Sequence, residues 1–232
     1  MTIFLHEVHN VRGALEEQFE AHYRDGWMAE LAAGDEARLL WYCHQAHGTG
    51  PAYRIITITA LRDGAAYGKL LDRVQSGDLR AWARDLDGLQ YGSEGKLLLA
   101  LPWSAIADVD LASVPTEPSA AHDLTLYMED TGWPHKPLDE YTAFWETVYA
   151  PMLAKSSLLK ITAVFQTAHG AGKRPEAILM QEVVSHAVLL GLLETETPAA
   201  MKQPGTFMHD ALQVRDQWES RLLRTSAWSP LF

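Results

Sequence analysis

The chain has one cysteine, Cys43, no cluster of lysines and arginines, and no apolar run near the roughly 20 residues a membrane-spanning helix needs. A lone cysteine excludes an intrachain disulfide and fits a reducing compartment. Set in an apolar strand with no second thiol, it reads as a buried structural group rather than a nucleophile. Nineteen basic against thirty acidic residues give a net charge of −11, which argues against nucleic acid or an anionic membrane as partner. The opening MTIFLHEV lacks the basic segment and apolar core of a secretory signal, so a cytoplasmic protein is expected. With 232 residues, 47% of them hydrophobic, there is material for one large core or two small ones.

The organising stretch is Leu39 to Leu61, LLWYCHQAHGTGPAYRIITITAL: two apolar runs split by Gly48, Gly50 and Pro51, a hairpin signal. Its layout returns at Ile161 to Val184, and the His-Gly-x-Gly at His47 recurs at His169, an offset of 169 − 47 = 122. Around the first hairpin lie a strand over Ile3 to Val11, an amphipathic helix over Ala14 to Ala32, a helical region over Ala65 to Leu86 broken near Ser76-Gly77, and a strand over Lys96 to Leu101. This order, β-α-β-β-α-β, is the split βαβ unit of the ferredoxin-like fold, with expected sheet order 4-1-3-2. Residues 105–122, with two prolines and no sustained period, read as a linker. The same series then recurs as strand Leu124 to Glu129, helix Leu138 to Leu153, hairpin Leu158 to Val184, helical region Ala187 to Glu219 and strand Leu222 to Trp228. EGKLLLALPWS from Glu94 matches ESRLLRTSAWS from Glu219 at five of eleven positions. The expected organisation is therefore a repeat over 1–104, a linker over 105–122 and a second repeat over 123–232.

A ferredoxin-like sheet has one face bare of helices, and both parities of Tyr53 to Leu61 are apolar, so the two sheets are expected to pack against each other within the chain. The opening FLHEVHNVRG, with Glu7 in the first strand before an Arg12-Gly13 turn, together with the doubled element order, resembles the tandem dimeric α/β-barrel proteins. The likeness is greatest to the NIPSNAP and EthD-like group. That resemblance implies an α+β fold of two ferredoxin-like repeats closed face to face as an intrachain α/β barrel. It implies little about function, because the superfamily holds cofactor-free monooxygenases, isomerases and cyclases as well as haem proteins.

Five of the ten histidines lie before residue 48: His6, His9, His22, His44 and His47. At offset 122 they face Met128, Thr131, Phe144, Gln166 and His169, so most break the symmetry of the repeat. His22 sits on the apolar stripe of the first helix, where an unpartnered imidazole would cost about 1–3 kcal/mol, so it should be hydrogen-bonded or face a cavity. A polar pocket is expected between that helix and the sheet, holding His22 with some of His6, His9, Glu7, Tyr42 and His44. Strand alternation suggests His6 with Tyr42 or His44, and His9 with Glu7. These groups suit general acid/base work, with Tyr42, Tyr23, Trp27 and Trp41 as the apolar substrate-binding wall. Structural histidines are the competing reading.

Glu7 and Glu129 read as a repeated strand carboxylate, Arg54 would need a carboxylate such as Glu7 if buried, and His47 and His169 read as turn residues. No metal is expected, since His6 and His44 lie two strands apart in the expected order. Haem, with His169 or His186 as axial ligand, is what the haem-binding members of the superfamily suggest as an alternative. The reading is a cofactor-independent enzyme acting on a small hydrophobic or aromatic molecule by histidine acid/base chemistry, of isomerase, cyclase, lyase or monooxygenase type. The alternatives are a non-catalytic barrel that binds a ligand or assembles with copies of itself, and a haem protein.

Overall fold

The computed structural model describes residues 1–118 and 120–232. Eight antiparallel strands carry the fold: β1 (Ile3–Val11), β2 (Ala37–Gln45), β3 (Arg54–Leu61), β4 (Gln90–Ala100), β5 (Leu126–Pro134), β6 (Leu159–Thr167), β7 (Ala177–Val183) and β8 (Arg215–Thr225). β1 is central to the first four, flanked by β3 and β4, with β2 beyond β3. β5 is central to the second four, flanked by β7 and β8, with β6 beyond β7. The order β4-β1-β3-β2 is the expected one, and β8-β5-β7-β6 repeats it.

The two sets also join along their edges. Cys43–Gln45 of β2 pair with Thr225–Leu223 of β8, and Leu98–Ala100 of β4 pair with Thr167–Phe165 of β6. These two seams bring the strand order round on itself. Pairing the four sheet edges satisfies backbone groups that two stacked sheets would leave open.

Three cores follow. Phe4, Trp41, Cys43, Ile56, Phe165 and Leu223 fill the interior between the two sets of strands. Outside, Phe19, Tyr23, Leu31, Tyr42 and Leu70 pack beneath the helices of the first half, and Tyr141, Trp145, Leu153, Val164 and Leu189 beneath those of the second. Each such side chain contributes about 1.5–3 kcal/mol of burial.

The helices are α1 (Glu16–His22), α2 (Met28–Ala33), α3 (Gly64–Gln75), α4 (Arg80–Leu89), α5 (Leu138–Phe144), α6 (Ala150–Leu153), α7 (His186–Glu194) and α8 (Phe207–Asp210). α1 and α2 are one helix interrupted by a wider π-type turn over Tyr23–Trp27, and α5 and α6 carry the same turn over Trp145–Tyr149. The Asp63 side chain caps α3 by accepting from Ala66 N at 2.8 Å. α3 and α4 part at Ser76-Gly77, as the sequence indicates. Among the described residues no helix is long and apolar enough to cross a membrane.

Three boundaries differ from expectation. β4 starts at Gln90 rather than Lys96, because Val11 to Ile3 of β1 pair along its whole length and override the weak strand preference of Gly92 and Gly95. β8 likewise starts at Arg215, inside the region read as helical, so that region shrinks to α7, α8 and short turns. β5 runs from Leu126 to Pro134 rather than ending at Glu129.

Candidate functional site

β1 alternates, so Phe4, His6 and Val8 face the barrel interior while Leu5, Glu7 and His9 face the helices. Above that outer face the chain leaves a cavity of about 450 Å³ lined by Glu7, His9, Tyr23, Trp27, Tyr67 and Gln90, among others. Its walls are otherwise mostly apolar, with Leu70 and Val74 of α3, Leu86 of α4 and Leu97 of β4. An apolar chamber with a few convergent polar groups is the usual make-up of a small-molecule site.

His9 is the centre of its polar side and is 4% exposed. Nδ1 lies 3.1 Å from Gln90 Oε1, and the Gln90 amide nitrogen donates to Asp87 Oδ1 at 3.1 Å. With the amide nitrogen committed to Asp87, Gln90 presents its oxygen, so Nδ1–H donates and Nε2 carries the lone pair. The Thr57 hydroxyl at 3.1 Å and the Tyr23 hydroxyl at 3.2 Å reach that lone pair. Burial, aided by the charge of Glu7, holds the Tyr23 phenol well above its ordinary range, so it stays a proton donor. Phe19 fixes the imidazole from one side, its ring centre 5.3 Å away. Tyr23 and Trp27 bound the π-type turn, an irregularity that often accompanies function. Glu7 lines the cavity without a hydrogen bond or ion pair among the described residues.

Of the residues the sequence nominated, His9, Glu7, Tyr23 and Trp27 come together here, and the rest do not. His6 faces the interior, on the opposite side of the sheet from Tyr42 and His44, so the expected grouping of these three is corrected. Alternation gives the parity within one strand, but which parity faces inward is settled strand by strand through pairing and bulges, such as the one between Leu39 and Trp41. Trp41 is an interior core residue, its ring edge against Tyr127, and lines no wall of the cavity. Tyr42 is buried in the outer core against Tyr23 and Trp228. His44 lies apart from the cavity, its Nδ1 3.1 Å from Glu16 and its Nε2 3.2 Å from Glu20, which ties β2 to α1.

His22 is hydrogen-bonded, as its position demanded, but to the Trp82 carbonyl at 3.1 Å, with the Trp82 ring tilted beside it, its centre 4.7 Å away. It joins α1 to α4 and stays outside the cavity. Gln90, Thr57 and Asp87 escaped the sequence reading because nothing local marks them; only the pairing of β3 and β4 with β1 brings them to His9.

The expected equivalence of Glu7 and Glu129 is also corrected. The first strands begin 126 − 3 = 123 residues apart, whereas the first helices begin 138 − 16 = 122 apart. That one-residue slip exchanges faces, so Glu7 matches Asp130, and Glu129 matches His6. Arg54 does not reach Glu7: it faces inward and its Nε donates to Asn10 Oδ1 at 3.0 Å. His47 and His169 are exposed in turns. His186 is exposed as well, and neither it nor His169 lines any of the three main cavities.

No sequence-family profile matches the chain, and no curated protein matches it. Solved structures do. An anthrone oxidase-like protein aligns over 99% of this chain and 95% of its own, with 9% identity and a TM-score of 0.62. A candidate monooxygenase from Lactobacillus acidophilus NCFM aligns over 99% and 98%, with 7% identity and a TM-score of 0.57. A NIPSNAP family protein from Agrobacterium tumefaciens str. C58 aligns over 46% of this chain and 99% of its own, with 18% identity and a TM-score of 0.39. At these identities the likeness is one of fold alone, the ferredoxin-like dimeric α/β-barrel type.

Proposed function

We propose, with the dimeric α/β-barrel fold as premise, that this protein is a cofactor-independent enzyme that removes a proton from a small, neutral, apolar or aromatic molecule held under its first helix. The observation that carries the reading is His9, anchored through Nδ1 by Gln90 and Asp87, with Nε2 in contact with the Tyr23 and Thr57 hydroxyls, which a substrate would displace. In this reading a C–H or O–H proton of the substrate moves to Nε2. The electron pair stays on the substrate, where the Tyr23 hydroxyl donates a hydrogen bond to the oxygen that gains charge. Glu7 stabilises the imidazolium that results and disfavours an anionic ligand. An anthrone-like ketone, the compound class in the description of one structural neighbour, has the acidic C–H and aromatic bulk that suit such a chamber.

The reading also takes the chain as a tandem duplication, with copies over 1–104 and 123–232 that diverged in their sites. In support, the π-type turns stand 145 − 23 = 122 residues apart and the second strands 159 − 37 = 122. Ser229 Oγ accepts from Tyr42 N at 3.1 Å while Ser104 Oγ accepts from Val164 N at 3.0 Å, the same service in each half.

The test is deuterium wash-in from heavy water into anthrone and related ketones. Wild-type protein should speed incorporation, His9→Asn should abolish the effect, and His22→Ala should retain it. Binding without exchange would replace the enzyme with a carrier, and equal exchange by His9→Asn would remove His9 from the chemistry.

A further inference from the structure

The barrel interior opens at one end into a second cavity of about 870 Å³, separate in character from the chamber under the helices. The first is walled mostly by apolar side chains; this one, which shares Gly95, Lys96 and Ala171 with it, is lined mostly by ionised ones. At its base Glu129, 1% exposed, accepts from Arg221 Nε at 2.9 Å and from His6 Nε2 at 3.0 Å. On one wall Glu176 accepts from Lys96 Nζ at 2.6 Å and from Trp133 Nε1 at 2.8 Å. At the rim Glu94 and Glu219 are matched in number by Lys173 and Arg174. The remaining charge is Arg54, half-buried at the start of β3, whose only hydrogen bond among the described residues is from Nε to Asn10. Five cations against four carboxylates leave one positive charge on this lining, within a chain whose net charge is −11.

We propose that this barrel mouth is a second binding site, for a small organic monocarboxylate seated on the Arg54 guanidinium. Both deep carboxylates already have cationic partners and Lys173 and Arg174 stand exposed at the rim, so the unused donors of the part-buried lining are the terminal nitrogens of Arg54, a fork that matches a carboxylate with two parallel hydrogen bonds. One uncompensated positive charge fits a monoanion; a phosphate dianion would bring a second charge with nothing to meet it. Val8 and Trp133 supply the apolar part of the wall, which suits a carboxylate with a hydrocarbon or aromatic body. The loop over Gly170–Gly172 lines the opening with almost no side-chain bulk, and Gly170 has φ 77°, a conformation that favours glycine. Nothing in this site depends on the chemistry proposed for His9.

Benzoate, with benzamide as its neutral isostere, tests the proposal on the full chain. Calorimetry should show one benzoate per chain, at least about tenfold weaker binding for Arg54→Gln, unchanged binding for His9→Asn, and no binding of benzamide. Arg54→Lys keeps the charge and loses the fork, so it should fall between wild type and Arg54→Gln. In wild type alone, amide resonances of Glu94, Gly170 and residues 172–174, which line this cavity and not the other, should move on titration, which reads the site even if a variant fails to fold. Absent binding, undiminished binding by a folded Arg54→Gln, equal affinity for benzamide, or shifts confined to Glu7, His9 and Tyr67 would each overturn it.

Discussion

Inside the barrel, His6 Nε2 lies 3.0 Å from Glu129 Oε2, and the two residues occupy matching positions of the two central strands, 123 apart. One half contributes the imidazole, the other the carboxylate, and Arg221 of β8 completes the group. Burial outweighs the attraction of Glu129 and lowers the imidazole's proton affinity, so His6 is neutral and donates from Nε2. Its Nδ1, a bare acceptor, finds no partner among the described residues. The adjacent guanidinium and His6 hold the Glu129 carboxyl far below its usual range despite its burial.

Removing the carboxylate should therefore be costly. Glu129→Ala leaves the part-buried Arg221 charge without its carboxylate at the base of the barrel mouth, and breaking a buried pair on one side costs about 3–5 kcal/mol. Urea denaturation should show that loss, and Glu129→Gln, which keeps the shape and one acceptor, should lose less. A cost below about 1 kcal/mol for the alanine variant would mean that the group is solvated in solution.

The same group sets how stability responds to acid. The His6 imidazole binds its proton less readily folded than unfolded, so its contribution is complete above the unfolded value of 6.5 and declines as pH falls below it. Glu129 is depressed from 4.5, so its contribution is complete above that value and is lost as pH falls further. Glu20, pulled down to about 2 by hydrogen bonds from His44, Ser226 and Trp228, adds to the second stage. Denaturation midpoints measured from pH 8 to pH 3 should fall in two stages, and His6→Gln should erase the upper one. A flat profile between pH 7 and pH 5 in wild type would contradict the neutral imidazole.

Much of this architecture was legible because residues aligned between the two halves of the sequence do the same work. Ser104 and Ser229, aligned in the sequence, hold Val164 and Tyr42 in the same way, and the paired hairpins fixed the strand order. Of the residues nominated for a site, Glu7, His9, Tyr23 and Trp27 line one cavity under the first helix. The failures have one physical source. A strand shows which residues share a face, but the face itself is assigned by neighbouring strands, so Glu7 was matched to Glu129 when its counterpart is Asp130. His22 drew notice for its place on an apolar stripe, yet a backbone carbonyl on α4, sixty residues away, satisfies it.

That last contrast separates stability from chemistry. His22→Ala should cost about 0.5–1.5 kcal/mol through its lost bond to Trp82, with proton exchange at the active chamber retained. Tyr23→Phe should behave in the opposite sense, with near wild-type stability and about 10- to 100-fold slower exchange. Exchange lost in His22→Ala but kept in Tyr23→Phe would move the chemistry out of the cavity.

In the second half the place that corresponds to His9, at the strand offset of 123, is held by Gly132. A Cβ on Gly132 would collide with the Tyr141 hydroxyl, which occupies the space above the strand, and Trp145 packs its ring 4.6 Å from that of Tyr141. In the first half the corresponding helix residue is Phe19, one hydroxyl smaller, and an imidazole stands beneath it. Gly132→Ala should thus destabilise the protein by about 1–3 kcal/mol through overpacking. The hydroxyl makes the closest approach and the ring carbons behind it the next, so Tyr141→Phe should relieve part of that cost in the double variant, a coupling of about 0.5 kcal/mol or more in a double-mutant cycle. Simple additivity of the two changes would mean that Gly132 is held by backbone demands instead, and that the asymmetry between the halves does not arise from this contact.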